Sequence, residues 1–346
     1  MEKRLNYIDW AKAIGIVLVC IGHFLPAGDA VKVVIYTFHV PVFVFVSGLL
    51  MTAPNGAKHC FGKIGKFALR IMLPYTVWHA ISVAIYLRRG LCTWGPNIWK
   101  TWLFLEGKTI WNDALWYAPT IFLALSVLCI FLWLVRGNRM AALLLSFASL
   151  SGFVLWGQRG FSLELFGFQN FLGLQNFLLF LGLLSLGYVC RDAVRFLIER
   201  KENPYQNGAL YASLGAFVVL LILVERLNHK NNISVLYSDY NNVIVFAIFA
   251  ALLSFTFIVS CALLPRSKIA SILSRNSLFI MCSHYLFLLW IIRDMKIGSG
   301  KETLLLRYSI VINLILLYVI VCSLAKMITK KFPKTKEIFS LFGMAV

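Results

Sequence analysis

Acidic residues are scarce in this chain. Fourteen Asp and Glu stand against 33 Lys and Arg in 346 residues, and charged residues of both signs make up only 14%. Soluble domains carry about a quarter. The eight cysteines (Cys20, Cys60, Cys92, Cys129, Cys190, Cys261, Cys282 and Cys322) lack any CxxC spacing and fall mostly inside apolar runs. They read as buried apolar filler, not as a disulfide framework or a metal site. No nucleophile elbow, P-loop or dinucleotide fingerprint occurs. Nor is there an Asp-rich glycosyltransferase motif, a repeat of fixed period or a low-complexity segment. The net charge of +19 would suggest nucleic acid in a soluble protein. Here no interleaved basic and aromatic patch lies outside the apolar runs, so the bases are assigned to loops facing anionic lipid.

What the chain has instead is apolar length. Hydrophobic residues make up 60% and mean hydropathy is +0.81. Runs of about 20 apolar residues recur, whereas a membrane barrel would show short alternating segments. The expected fold is an all-α integral membrane protein, a single polytopic domain over 1–346 with about ten transmembrane helices. The spans fall at approximately 8–25, 32–52, 68–87, 113–135, 139–156, 170–190, 208–227, 240–264, 270–292 and 304–328. Lys3 and Arg4 precede the first run as in a signal peptide. Asp9 and Lys12 interrupt that run and no A-x-A site follows, so no cleavage is expected. With the N- and C-termini in the cytoplasm, the larger share of the Lys and Arg falls on the cytoplasmic side, as the positive-inside rule requires. The longest outer loop, from Arg88 to Asn112, holds Trp94, Trp99, Trp102 and Trp111. It reads either as an interfacial aromatic belt or as a rim that stacks on sugar rings.

Polar residues inside the first two spans carry the functional signal. Asp9, Lys12, His23 and His39 lie where a bilayer rejects polarity, and an ionisable group in a span is by default a functional hypothesis. From Lys12 to His23 is eleven residues, about three helical turns plus roughly 20°. Asp9 falls on the same stripe and is three residues from Lys12, which suits an ion pair. Such a stripe faces the bundle interior or a water-filled path. His39 and His284 come to a similar depth near the outer side, so three of the six histidines converge on one level. Without a metal cluster, histidine suggests proton handling. Weaker candidates are Ser47 beside Gly48, which also reads as a close-packing site, Arg70 before Pro74, Trp116, and Asn276 before Ser277. His79 reads as a packing residue within its span.

The segments DWAKAIGIVLVCIGH, FHVPVFVFVSGLL, the Arg70–Pro74 stretch, LWYAPTIF and NSLFIMCSHYLFL appear in order over most of the chain. Together they resemble the membrane acyltransferase 3 family, and within it the fucose 4-O-acetylase-like branch. The family is built on about ten helices. Its hallmark is an Arg and a His on the first helix separated by ten residues; here the spacing is kept with Lys12 in place of Arg. The resemblance implies a membrane O-acyltransferase that moves an acetyl group from acetyl-CoA to a sugar hydroxyl of a cell-surface or lipid-linked polysaccharide. His23 is then the general base, and Asp9 and Lys12 set the electrostatics. Arg70 is a candidate for the CoA phosphates, and His39 and His284 orient the acceptor or stabilise the oxyanion. Ser47, Trp116 and Asn276 complete the binding candidates. No bound cofactor and no metal are expected. The expected partners are acetyl-CoA as co-substrate, a glycan or lipid-linked sugar acceptor and the lipid bilayer of the inner cell membrane. Homo-oligomerisation is left open. A transporter or flippase of a lipid-linked glycan is the alternative reading.

Overall fold

A computed structural model describes residues 5–25, 30–105, 111–158, 171–199, 204–228, 240–294 and 304–346. Among these residues every regular element is a helix. In chain order they are α1 (Asn6–Phe24), α2 (Ala30–Leu50), α3 (Ala57–Phe67), α4 (Leu73–Arg88), α5 (Pro96–Trp102), α6 (Tyr117–Leu134) and α7 (Arg139–Gln158). There follow α8 (Leu174–Glu199), α9 (Pro204–Asn228), α10 (Val243–Ser260), α11 (Lys268–Arg275), α12 (Ser277–Asp294), α13 (Leu304–Lys331) and α14 (Thr335–Leu341). Nine helical stretches among the described residues are long and apolar enough to cross a membrane. The chain is therefore an all-α polytopic membrane protein, as its composition implies.

Several boundaries differ from the sequence reading; the sixth span, expected at 170–190, runs on as α8 to Glu199. The third span is longer than 68–87, because α3 continues through a π-helical turn at Ala68–Met72 into α4. The segment expected at 270–292 is broken. Ser267 caps α11 by accepting from the Ala270 amide, and Asn276 (φ −98°, ψ 14°) ends it before α12 begins. α11 is amphipathic, with Lys268, Ile269 and Arg275 exposed and Ala270 and Leu273 buried. The 88–112 segment is more than a surface loop. Its helix α5 packs on α4, where Tyr75 donates to the Thr101 and Trp102 carbonyls at 2.9 and 3.0 Å. Trp94 and Trp99 stay exposed at 74% and 59%, while Trp111 is buried.

The bundle is organised around α1 and α2. The most apolar stretch of α2 is 78% buried, against 11% for α9. Apolarity alone does not separate the two, since their mean hydropathy is the same; α2 is interior because α1, α8, α9 and α10 flank it. Its closest crossing is with α8, where a Cβ on Gly48 would stand 2.1 Å from the Leu184 carbonyl oxygen and one on Gly187 2.3 Å from that of Phe45. Glycine at both positions lets the backbones touch, which is how helices associate when no hydrophobic drive separates them from lipid. Hydroxyls in the spans bond back along their own helix. Ser47 donates to Phe43 at 2.8 Å, Thr120 to Trp116 at 2.9 Å and Ser254 to Ala250 at 2.6 Å, so no hydroxyl of these three is left bare in a low-dielectric setting.

Candidate functional site

Two polar centres lie along α1. At its C-terminal end, His23 sits in a nest of rings. Its ring centroid is 5.1 Å from that of His284 on α12, 5.4 Å from Tyr285 and 6.2 Å from Tyr36 on α2. Tyr36 in turn stacks 4.9 Å from His39. Helical spacing brings these groups together. His39 lies one turn beyond Tyr36 on the α2 face that meets α1, and His284 and Tyr285 are adjacent on α12. Tyr285 donates to the Asp113 carboxylate at 3.0 Å, which ties α12 to the 3₁₀ turn at Asp113–Trp116 that opens α6. The neighbouring Asn112 donates to the Cys282 carbonyl at 2.8 Å.

The tautomers of two of these histidines follow from their partners. His39 Nδ1 lies 2.6 Å from the Ile35 carbonyl, and His284 Nδ1 lies 2.9 Å from the carbonyls of both Ile280 and Met281. A carbonyl only accepts, so Nδ1 carries the proton in each ring. In the neutral imidazole Nε2 is then an acceptor. His39 and His284 are buried, at 4% and 0% exposure, whereas His23 is partly exposed. Of these three rings, His23 alone has appreciable exposed surface.

The second centre is a cavity of about 200 Å³ between α1, α2, α6 and α12. Lys12, Ser47, Tyr117 and Ser277 supply its polar lining, and Phe43, Leu125 and Met281 are among its apolar walls. Lys12 is roughly 16 Å along α1 from His23. The two centres are nonetheless linked through α12, since Met281 lines the cavity and its carbonyl holds the His284 ring. Asp9, one turn before Lys12, is buried.

The remaining sequence candidates lie beside the cavity rather than in it. Arg70 is exposed on the π-helical turn, and its neighbour Ile71 is the lining residue. Trp116 is buried against Phe180 at 5.7 Å, and Tyr117 lines the cavity. Asn276 has both ends of its amide engaged, Nδ2 on the Ile272 carbonyl and Oδ1 on the Ala345 amide, each at 2.9 Å. It anchors the chain after α14, and Ser277 is the one that faces the cavity. His79 belongs to the α4–α5 contact, 3.2 Å from the Thr101 hydroxyl. Tyr36 and Tyr285 join the site without having been singled out. Tyrosine is common at membrane interfaces, and only the rotation of α12 against α6 reveals the Asp113 pair.

The family model described as an acyltransferase domain, that of the acyltransferase 3 family, matches residues 5–327. No curated protein and no solved structure matches the chain.

Proposed function

The chain belongs to the acyltransferase 3 family, and on that premise we propose that this membrane acyltransferase is an O-acetyltransferase of the fucose 4-O-acetylase-like branch, using acetyl-CoA and a sugar hydroxyl of a surface or lipid-linked glycan. The proposed setting is the inner cell membrane with both termini in the cytoplasm. The observation that carries the reading is the ring cluster around His23. It combines one partly exposed imidazole with two buried ones of fixed tautomer, Tyr36, and a Tyr285–Asp113 pair.

In this mechanism His23 takes the proton from the acceptor hydroxyl as its oxygen bonds to the thioester carbonyl carbon. The C–S bond then breaks, the ester is formed, and the CoA thiolate leaves with the proton His23 returns. Tyr36 and Tyr285 offer aromatic faces to a sugar ring. The fixed tautomers of His39 and His284 support an orienting role for them over donation to an oxyanion, since each neutral ring directs an acceptor nitrogen away from its helix. Lys12 and Ser47 are proposed to hold the donor's pantetheine arm as it passes through the cavity, with Arg70 outside it for the CoA phosphates and the acyl end carried on to the level of His23. Lysine there acts as a point charge where arginine would offer a fork.

The test is acetyl transfer by the full chain in lipid nanodiscs, with radiolabelled acetyl-CoA and short acceptor glycans. Label in an ester-bearing glycan with release of free CoA is the expected result. Glycan movement across a vesicle membrane without CoA release would mean a transporter instead.

A further inference from the structure

The His284 ring is fully buried, and its Nε2 has no hydrogen-bond partner among the described residues. Buried polar atoms of this kind are rare and need an explanation, because each forfeits the solvation it had in water. The ring cannot relieve itself by turning, since Nδ1 is held by two carbonyls at 2.9 Å. Among the described residues the ring that packs on it is that of His23, which can donate, at a centroid separation of 5.1 Å and a tilt of 49°. An N–H···N bond of about 2.9 Å between two imidazoles puts their centroids roughly 5 Å apart. The spacing therefore already suits the bond, and only a rotation of the partly exposed His23 side chain is needed to align it.

We infer that His284 is the positioning residue of His23: its bare Nε2 accepts the ring N–H of His23, which fixes the His23 tautomer and turns the other nitrogen towards the acceptor hydroxyl. The arrangement repeats with an imidazole what a carboxylate does in a hydrolase triad, where the third group holds the base in one tautomer. The proton comes from the substrate hydroxyl to His23 and goes from His23 to the thiolate; His284 keeps its own Nδ1 proton throughout. The role rests on the proposed general-base function of His23, but the pairing itself does not require any particular acyl donor.

Two variants separate the pairing from mere packing. His284→Gln keeps an acceptor oxygen where Nε2 stands, while His284→Leu fills the space with no acceptor. The expected result is a kcat about 10²-fold lower for His284→Leu with KM for acetyl-CoA unchanged, the low end of what a positioned base contributes. His284→Gln is expected to recover to within about tenfold of the native chain. Nitrogen-15 NMR of histidine-labelled protein in nanodiscs supplies a readout independent of turnover. His23 should show one neutral tautomer in the native chain and in His284→Gln, and a mixture in His284→Leu. Identical His23 tautomers in all three proteins would overturn the inference, as would a native kcat in the leucine variant. If the tautomers follow the expected pattern while none of the proteins transfers acetyl, the pairing stands and the acetyltransferase reading falls.

Discussion

His23 and Lys12 occupy one helix but have different chemical surroundings, and their variants should fail differently. His23 is partly exposed at a ring cluster, so its replacement should strike the chemical step. His23→Gln keeps size and hydrogen bonding but not basicity. We expect normal membrane expression, near-native acetyl-CoA affinity and turnover lower by about 10² to 10⁴. An active glutamine variant would mean that His23 only packs. Lys12 stands in the cavity wall one turn from the buried Asp9. Removing one charge from such a setting strands another in low dielectric. Lys12→Ala should therefore lose both folded yield and activity, by thermal unfolding and by transfer assay, whereas Lys12→Arg should keep both. A dead arginine variant beside an active alanine one would overturn this account. The stripe of Asp9, Lys12 and His23 was legible from residue spacing alone, because a helix has a fixed period. The Tyr285–Asp113 pair was not, since it depends on how two helices distant in sequence turn towards each other.

At the level of elements, helix existence followed from apolar length, but the breaks did not. The division between α11 and α12 has a local signal in Arg275-Asn276-Ser277, a basic last turn followed by a residue that suits a helix end. The continuous apolar pattern after it hid that signal. The folding of α5 against α4 had none, because tryptophans in a loop read equally well as a membrane belt. The sequence also left Ser47-Gly48 open between a site and a packing contact, and the two neighbours divide these roles. Ser47 lines the cavity, and Gly48 meets the α8 backbone. At 2.1 Å from a backbone oxygen a methyl group cannot be absorbed by a side-chain rotation. Gly48→Ala and Gly187→Ala should each lower stability by about 1–3 kcal/mol or more, read as a lower unfolding temperature in detergent. Ser47→Ala should leave that temperature nearly unchanged. Equal stability of Gly48→Ala and the native chain would mean that the α2–α8 crossing is looser than described.

For the whole molecule, the helical membrane class was evident from hydropathy, while the side on which each loop lies rests on charge bias alone. Cysteine labelling from either face should find the N-terminus and the Lys330–Lys336 tail in the cytoplasm. A tail labelled from outside would show that the polypeptide crosses an odd number of times. Lys12 and His23 are joined by unbroken helix, which acts as a ruler roughly 16 Å long. No hinge on α1 can shorten it, so a donor entering at the Lys12 cavity must supply the reach itself. The enzyme should therefore discriminate among thioesters by the length of the arm as well as by the acyl group. Acetyl carried on a truncated thiol should be a poor donor even at concentrations that saturate the cavity, and its rate should rise stepwise as the arm is lengthened towards that of pantetheine.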